Sequence, residues 1–300
     1  MNSGSVTFSF DCEGKWGMAD ISSNWDANLT QVNLLETYEF ILETLKDYDI
    51  SATFAFVGAF TESREVFLDE TLPCLSSENY SKWLDYSKFR IMDKNEEGWF
   101  MPELLNLVKE YNVHEIASHG YTHIPFSMLN HRDARTELKL IRQWAKKNKI
   151  ECSTLVYPRN MIGHNNLLKE YGIFGYRDEP DAITDHRVPK VIKTLIEETW
   201  VLKKSQQFEL IEPCKIPGGV FINWRYGFRN FVPPLVSLLK YRSMINDAIL
   251  RNQVAHFWTH PHNFITSPST KNLFKNLCEE VSIQRDKSKL VVKKQNDYLL

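Results

Sequence analysis

Repeated βα units wrapped around a mostly parallel sheet or barrel are the fold class this sequence predicts, and two observations predict it. Short apolar runs of strand character alternate with helical patterns almost throughout the chain. The polar residues able to do chemistry gather where those runs end, as they do at the C-terminal ends of strands in α/β folds. With 300 residues, 43% hydrophobic and 13% aromatic, the chain can bury a large core.

Residues 6–10 (Val-Thr-Phe-Ser-Phe) read as the first strand. Over residues 32–45, Leu34, Leu35, Tyr38, Ile41, Leu42 and Leu45 recur at helical spacing, giving a helix with one apolar face for the sheet. Residues 51–57 form a second buried strand. A long insertion follows at about 61–99, with mixed charge, Pro73 and several aromatics. Segments of that length in compact domains are usually functional or disordered, and this one is expected to help wall a site. Further strands are expected at 115–118, 154–157, 172–176 and 254–258, and helices near 101–111, 132–148, 234–251 and 270–285. A C-terminal helical extension occupies about 266–300, its end solvated by Arg285-Asp286-Lys287-Ser288-Lys289 and Lys293-Lys294. No boundary divides residues 1–300, which are expected to form one catalytic domain.

Composition excludes several classes of partner. The 36 basic and 38 acidic residues give a formal net charge of -2, so no global field draws the chain to nucleic acid or to an anionic membrane. No apolar segment approaches the ~20 residues of a membrane span, and residues 1–5 lead into the first strand without a basic or apolar leader, so a cytosolic protein is expected. Five scattered cysteines, Cys12, Cys74, Cys152, Cys214 and Cys278, make no CxxC pair and are expected to be mostly buried free thiols.

Four strand ends carry the chemistry: Asp11-Cys12-Glu13, Ser118-His119-Gly120-Tyr121-Thr122-His123, Tyr157-Pro158-Arg159-Asn160, and Thr259-His260-Pro261-His262-Asn263. His119 and His123, four apart, can ligate one cation if the segment turns helically after its strand. Two neutral imidazoles want a carboxylate as third ligand, which Asp11 or Glu13 can provide. If the backbone stays extended through residue 13, alternation sends those two acids to one face and Cys12 to the other, so one acid can bind metal while the other takes a proton from water. Alternation from Val254 places His256, Trp258 and His260 on one face, with His260 at the mouth and His256 deeper, as a satisfied core histidine. Trp16, directly after the acidic residues, is the candidate pocket wall, and Tyr157, Asn160 and His262 are further candidates for substrate contact.

In this order and at these strand ends, "SFDCEG", "SHGYTH", "VYPRN" and "THPH" resemble the polysaccharide deacetylase (NodB-homology) domain, carbohydrate esterase family four, over residues from about 5 to about 265. The resemblance implies a distorted (β/α) barrel of about seven strands. It also implies that Asp11 is the general base and that His119 and His123 are metal ligands, with Gly120 where the family has a hydroxyl residue. The family's Thr-Phe-Asp-Asp-Gly, aligned without a gap, puts Cys12 at the third ligand position; members reading Asp-x-Glu put Glu13 there. Glu13 is preferred, because a hard carboxylate with two imidazoles leaves an open, Lewis-acidic site, and Cys12 then packs as a small hydrophobe. Of the family's Arg-x-Pro-Tyr only Pro158 is kept, with Val156 and Arg159 in the flanking places; the backbone N–H of Arg159 is expected to serve the oxyanion. The arginine that orients the base is missing from its usual place, and Arg159 or Arg177 is the candidate replacement. The last motif makes His260 the acid that protonates the leaving amine.

The expected activity is therefore hydrolysis of an N-acetyl or N-formyl group from an amino sugar or glycan, in surface polysaccharide or glycan biosynthesis. The cofactor implied is a divalent metal ion, with zinc the first choice. Without a leader, a soluble sugar intermediate or a lipid-linked glycan at the inner membrane surface is a better substrate than a cell-wall polymer. Two alternatives remain open at this stage: an amidohydrolase of small ureides or cyclic amides, kept by the displaced carboxylate of "DCEG", and an inactive deacetylase-fold glycan-binding protein, kept by the missing arginine.

Overall fold

The computed structural model describes residues 3–21, 27–92, 97–180, 188–287 and 289–299, without the side chains of 88–92 and 190. Met1-Asn2, residues 93–96 of the expected insertion and Ser288 of the basic tail lie outside the described residues. The strands are β1 (Gly4–Cys12), β2 (Thr53–Phe56), β3 (Glu115–Ser118), β4 (Thr154–Val156), β5 (Gly175–Arg177), β6 (Cys214–Ile216), β7 (Val220–Phe221), β8 (Val254–Thr259) and β9 (Leu290–Val292). The helices are α1 (Gln31–Asp47), α2 (Arg64–Val66), α3 (Glu78–Met92), α4 (Pro102–Glu110), α5 (His131–Lys147), α6 (Lys190–Thr199), α7 (Pro234–Arg251) and α8 (Pro268–Asp286).

Eight strands follow one another as β6-β5-β4-β3-β2-β1-β8-β7 in a curled parallel sheet that makes a distorted, open (β/α) barrel, and β9 adds to β1. The edge strands β6 and β7 are linked by residues 217–219, and among the described residues no ladder joins them.

β1 is the axis of the sheet, with parallel neighbours β2 and β8 and every residue buried. Burial on both faces normally asks for a continuous apolar run, but β1 alternates. Val6, Phe8, Phe10 and Cys12 join the large apolar core under the helices, where Phe8 and Phe10 both meet Phe274 of α8 edge to face. Thr7, Ser9 and Asp11 point the other way and find polar partners. α1 docks through Leu34, Tyr38, Ile41, Leu42 and Leu45, the stripe its sequence spacing predicts, and starts at Thr30, whose hydroxyl accepts from Asn33 N–H. α5 starts in the same way at Asn130, whose side chain accepts from Asp133 N–H.

The tail departs from expectation. Past α8 the chain is neither a continued α-helix nor simply solvated: β9 lies parallel to the start of β1, on the edge beyond the reach of β2, and a 3-10 turn follows at Gln295–Tyr298. The buried Tyr298 then closes the bottom of the sheet, its hydroxyl 2.9 Å from Ser5 Oγ and 2.8 Å from Thr7 Oγ1. Gln295 N–H bonds Thr53 Oγ1 and Asn296 N–H bonds the buried Glu115 carboxylate. Four of the cysteines are buried and Cys74 is exposed, all as free thiols. Among the described residues no helix is long and apolar enough to cross a membrane.

Replacing Tyr298 by Phe strands two buried hydroxyls and is expected to cost about 1 to 3 kcal/mol in urea unfolding. An unchanged midpoint would show that the tail does not seal the sheet.

Candidate active site

The chemistry-bearing residues meet at the C-terminal ends of five strands: Asp11 and Glu13 at β1, His119 and His123 after β3, Arg159 and Asn160 after β4, Arg177 at the end of β5, and His260 and His262 after β8. β1 ends at Cys12, and Glu13 leaves the extended region with φ -120° and ψ -15°. Even so, Asp11 and Glu13 reach the same pocket of charge, whereas Cys12 faces the core, fully buried, its Sγ donating to Phe10 O. Burial pushes the Cys12 thiol well above its ordinary pKa, against the pull of a Tyr38 hydrogen bond, so it stays a thiol. Gly17 backs the Glu13 carboxylate so closely that a Cβ there would sit 2.2 Å from Oε1.

The loop after β3 is built to hold two histidines rigidly. Gly120 has φ +78°, and a Cβ on it would press to 2.9 Å from the Pro158 ring, so the hydroxyl residue expected from the family resemblance does not suit this backbone. Other groups hold the loop instead. Ser118 Oγ accepts from Gly120 N–H, and the buried Glu137 carboxylate of α5 accepts from Tyr121 N–H, Thr122 N–H and the Thr122 hydroxyl. From the expected insertion, Trp83 donates its indole N–H to Thr122 O and its ring lies 6.3 Å from that of His123.

Glu13 Oε2 lies 2.8 Å from His123 Nε2 and 3.4 Å from His119 Nε2. His119 Nδ1 is 2.8 Å from Val156 O; a carbonyl only accepts, so Nδ1 carries the proton and, in the neutral ring, Nε2 presents a lone pair to the carboxylate. Among the described residues both ring nitrogens of His123 are buried without a well-aligned hydrogen bond, Nε2 having only the close contact with Glu13 Oε2. Burial pushes His123 below the ordinary imidazole pKa; it would push Glu13 up, but the charges of His260 and His123 hold that carboxyl well below its usual range. An ionised carboxylate and two imidazole nitrogens thus converge, all within 4.8 Å of one another. These donors fit a divalent cation of the zinc type, which would satisfy His123 and neutralise Glu13 at once.

Asp11 belongs to a different network. Its two oxygens each accept from Arg177, Nη1 to Oδ1 and Nη2 to Oδ2, both at 2.7 Å. The Arg177 guanidinium, 1% exposed, also donates to Ser9 Oγ and Asn160 Oδ1 and lies 4.6 Å from the Trp258 ring centre. Ser9 Oγ in turn bonds His256 Nε2, while His256 Nδ1 donates to Pro217 O; burial holds that ring at about 3, a neutral core histidine as its depth predicts. Burial would raise Asp11, but the Arg177 and His119 charges lower it below the ordinary value.

Arg177 is therefore the arginine that holds Asp11, and Arg159 is not. Arg159 turns outward to Asp20 and lies 4.7 Å over the Trp83 ring. Its own backbone is left-handed, φ 56° and ψ 20°, in the turn closed by Asn160 N–H to Tyr157 O. The signal that separates the two arginines is position, since Arg177 ends a strand and Arg159 begins a turn.

His260, about a quarter exposed, places Nε2 3.5 Å from Glu13 Oε1, and the His262 ring stacks on it at 4.9 Å. Burial and the neighbouring His260 lower His262 to about 3. Two expected substrate contacts lie elsewhere. Trp16 is fully buried, its indole N–H on Trp99 O and its ring in edge-to-face contact with Phe67 and Trp99, so it has no surface for a ligand. Tyr157 is buried between Phe126 and Tyr176. Asn160 spends its side-chain oxygen on Arg177.

The family profile described as polysaccharide deacetylase matches residues 21–177, just over half the chain. A structure assigned to the polysaccharide deacetylases from Mycobacterium smegmatis is similar with a TM-score of 0.63 at 14% identity, covering 99% of this chain and 89% of that one. PuuE allantoinase gives 0.57 at 13% identity, covering 98% and 88%. A further structure assigned to the polysaccharide deacetylases, from Pseudomonas aeruginosa PAO1, gives 0.55 at 11%, also covering 98% and 88%. At these identities the likeness is one of fold. No curated protein sequence matches the chain.

Replacing Arg177 by Met leaves a buried carboxylate unpaired and is expected to destabilise the protein by about 3 to 5 kcal/mol. Replacing Arg159 by Met removes only a surface pair and should change stability by no more than about 1 kcal/mol. Equal effects of the two in denaturant unfolding would contradict the assignment of Arg177.

Proposed function

Because the chain belongs to the polysaccharide deacetylase family, we propose that it is a divalent-metal-dependent hydrolase that removes an N-acyl group, acetyl or formyl, from an amino sugar, in the making of a surface polysaccharide or related glycan. The observation that carries this reading is the convergence of Glu13 Oε2 on the Nε2 atoms of His123 and His119, next to an Asp11 held separately by Arg177.

Glu13, His119 and His123 would hold the metal, zinc being suited to two nitrogens and one carboxylate oxygen. When bound, it supplies Lewis acidity, lowering the pKa of water and polarising the amide carbonyl. The chain's own groups do the rest. Asp11, kept ionised, accepts the proton of the attacking water, and Arg177 fixes the direction of its lone pairs while leaving further acceptor sites on the carboxylate open. The N–H of Arg159, in the tight turn after β4, donates to the oxygen that gains charge. His260 protonates the departing amine. His262 suits that task less, since a ring held at about 3 carries no proton to give near neutral pH.

The arrangement of Arg177 also supports activity over a purely binding role, because an inactive scaffold is suggested by the missing motif arginine, and Arg177 supplies the clamp on Asp11 that such an arginine would give.

The test is acetate or formate release from N-acetyl and N-formyl amino sugars, run beside ring opening of a cyclic ureide, with and without chelator. Chelator-sensitive acyl release from the amino sugar is expected. His119→Ala should lose stoichiometric divalent metal and hydrolysis together; hydrolysis retained by a metal-free His119→Ala protein, or ureide ring opening alone, would refute the reading.

A further inference from the structure

A cleft of about 760 Å³ opens beside the proposed acid, His260, and runs between β7, β8 and the segment after α6. That volume accommodates a ligand of disaccharide size, more than the single acylated ring needs. Phe221, Trp224 and Trp258 give it aromatic walls, the surfaces on which pyranose faces pack.

Its charge is unlike that of the whole protein. Among the described lining residues, Lys203, Lys204, Arg229 and Lys240 face Glu197 and Glu198, an excess of two positive charges in a chain whose formal charge is -2. Lys240 and Glu198 are buried and bonded at 2.8 Å, so that pair cancels. Arg229 is held more loosely: its Nε lies 3.9 Å from Glu198 Oε1, beyond hydrogen-bond reach, and is buried without an acceptor. Its guanidinium lies 5.1 Å from the Phe221 ring centre, which fixes its position over the aromatic wall. Lys204 is exposed at the rim. The Arg229 side chain as a whole is 26% exposed on the cleft, so a carboxylate or phosphate oxygen can pair with its charge there without reaching the buried Nε.

We propose that this cleft is a subsite for an anionic unit of the substrate, a uronate carboxylate or a phosphate on or next to the ring deacylated at His260, recognised by Arg229 with support from Lys203 and Lys204. The proposal rests on the deacetylase reading of the adjacent site. It narrows the substrate class to acidic N-acylated glycans, and it gives the aromatic walls the task of stacking the sugar while the cations read its charge.

The experiment compares kcat/KM for deacylation of N-acetylchitotetraose, a hyaluronan tetrasaccharide and N-acetylglucosamine 1-phosphate by the wild type, Arg229→Gln and Lys204→Gln. The wild type should prefer at least one anionic substrate by about tenfold or more, the size of one charge-assisted hydrogen bond. Which anion gains distinguishes carboxylate from phosphate. In Arg229→Gln the preference should fall to near parity through KM with kcat little changed; Lys204→Gln, on the exposed rim, should weaken the preference in the same direction. Equal use of neutral and anionic substrates by the wild type, or a preference untouched in both variants, would overturn the subsite and leave the deacetylase reading standing. If none of the three is hydrolysed, calorimetric binding of the same compounds decides: salt-sensitive anion binding that is lost in Arg229→Gln supports the subsite, and binding that ignores charge, or none, overturns it.

Discussion

A full positive charge sits inside this barrel, and much of the site follows from how it is accommodated. The Arg177 guanidinium, 1% exposed, is matched to Asp11 by two parallel bonds of 2.7 Å, the fork geometry that makes arginine suited to carboxylates. Such a pair repays its desolvation only when its remaining donors are met. Ser9 and Asn160 each accept from one of its Nη atoms, the Trp258 ring lies close by, and among the described residues only Nε is left without an acceptor. That requirement accounts for a central strand which is polar on its inner face while buried on both: Thr7 and Ser9 are there to serve Tyr298, His256 and Arg177.

The same pair divides the labour of the two acids. Asp11 is committed to the guanidinium and stays ionised with a fixed orientation. Glu13, one residue beyond the end of β1, leaves the extended conformation and lays its carboxylate on the two histidine nitrogens. Cys12 between them faces the core, where a thiolate would have no counter-charge. A carboxylate laid on two imidazoles, a carboxylate held separately by a guanidinium and a buried thiol thus come from three successive residues through strand alternation and one change of backbone direction at the strand end.

Much of this was legible in the sequence. Long elements with clean periodicity, such as α1 and α7, and strands followed by polar clusters, such as β3 and β8, fall where their patterns place them. β6 and β7 are not legible, since three and two residues are too short to show a period. The end of the chain reads as charged and solvated because its lysines outnumber its anchors; Tyr298 and Gln295, which bury it, carry no local signal. Trp16 misleads for a related reason: adjacency to Glu13 in sequence suggests a pocket wall, but the turn after β1 carries the indole to the opposite side, against Trp99. Arg177 and Arg159 differ in sequence only by context, and the decision between them needed the register of β5 against β4.

The central proposal is that one carboxylate and two imidazoles, those of Glu13, His119 and His123, and not the Cys12 sulfur, would hold the metal. X-ray absorption at the metal edge of the zinc-loaded protein measures this most directly. The account predicts a first shell of light atoms only, with multiple scattering from two imidazoles and Zn–N and Zn–O distances of about 2.0 to 2.2 Å. A sulfur shell at about 2.3 Å, or scattering from fewer than two imidazoles, would contradict it.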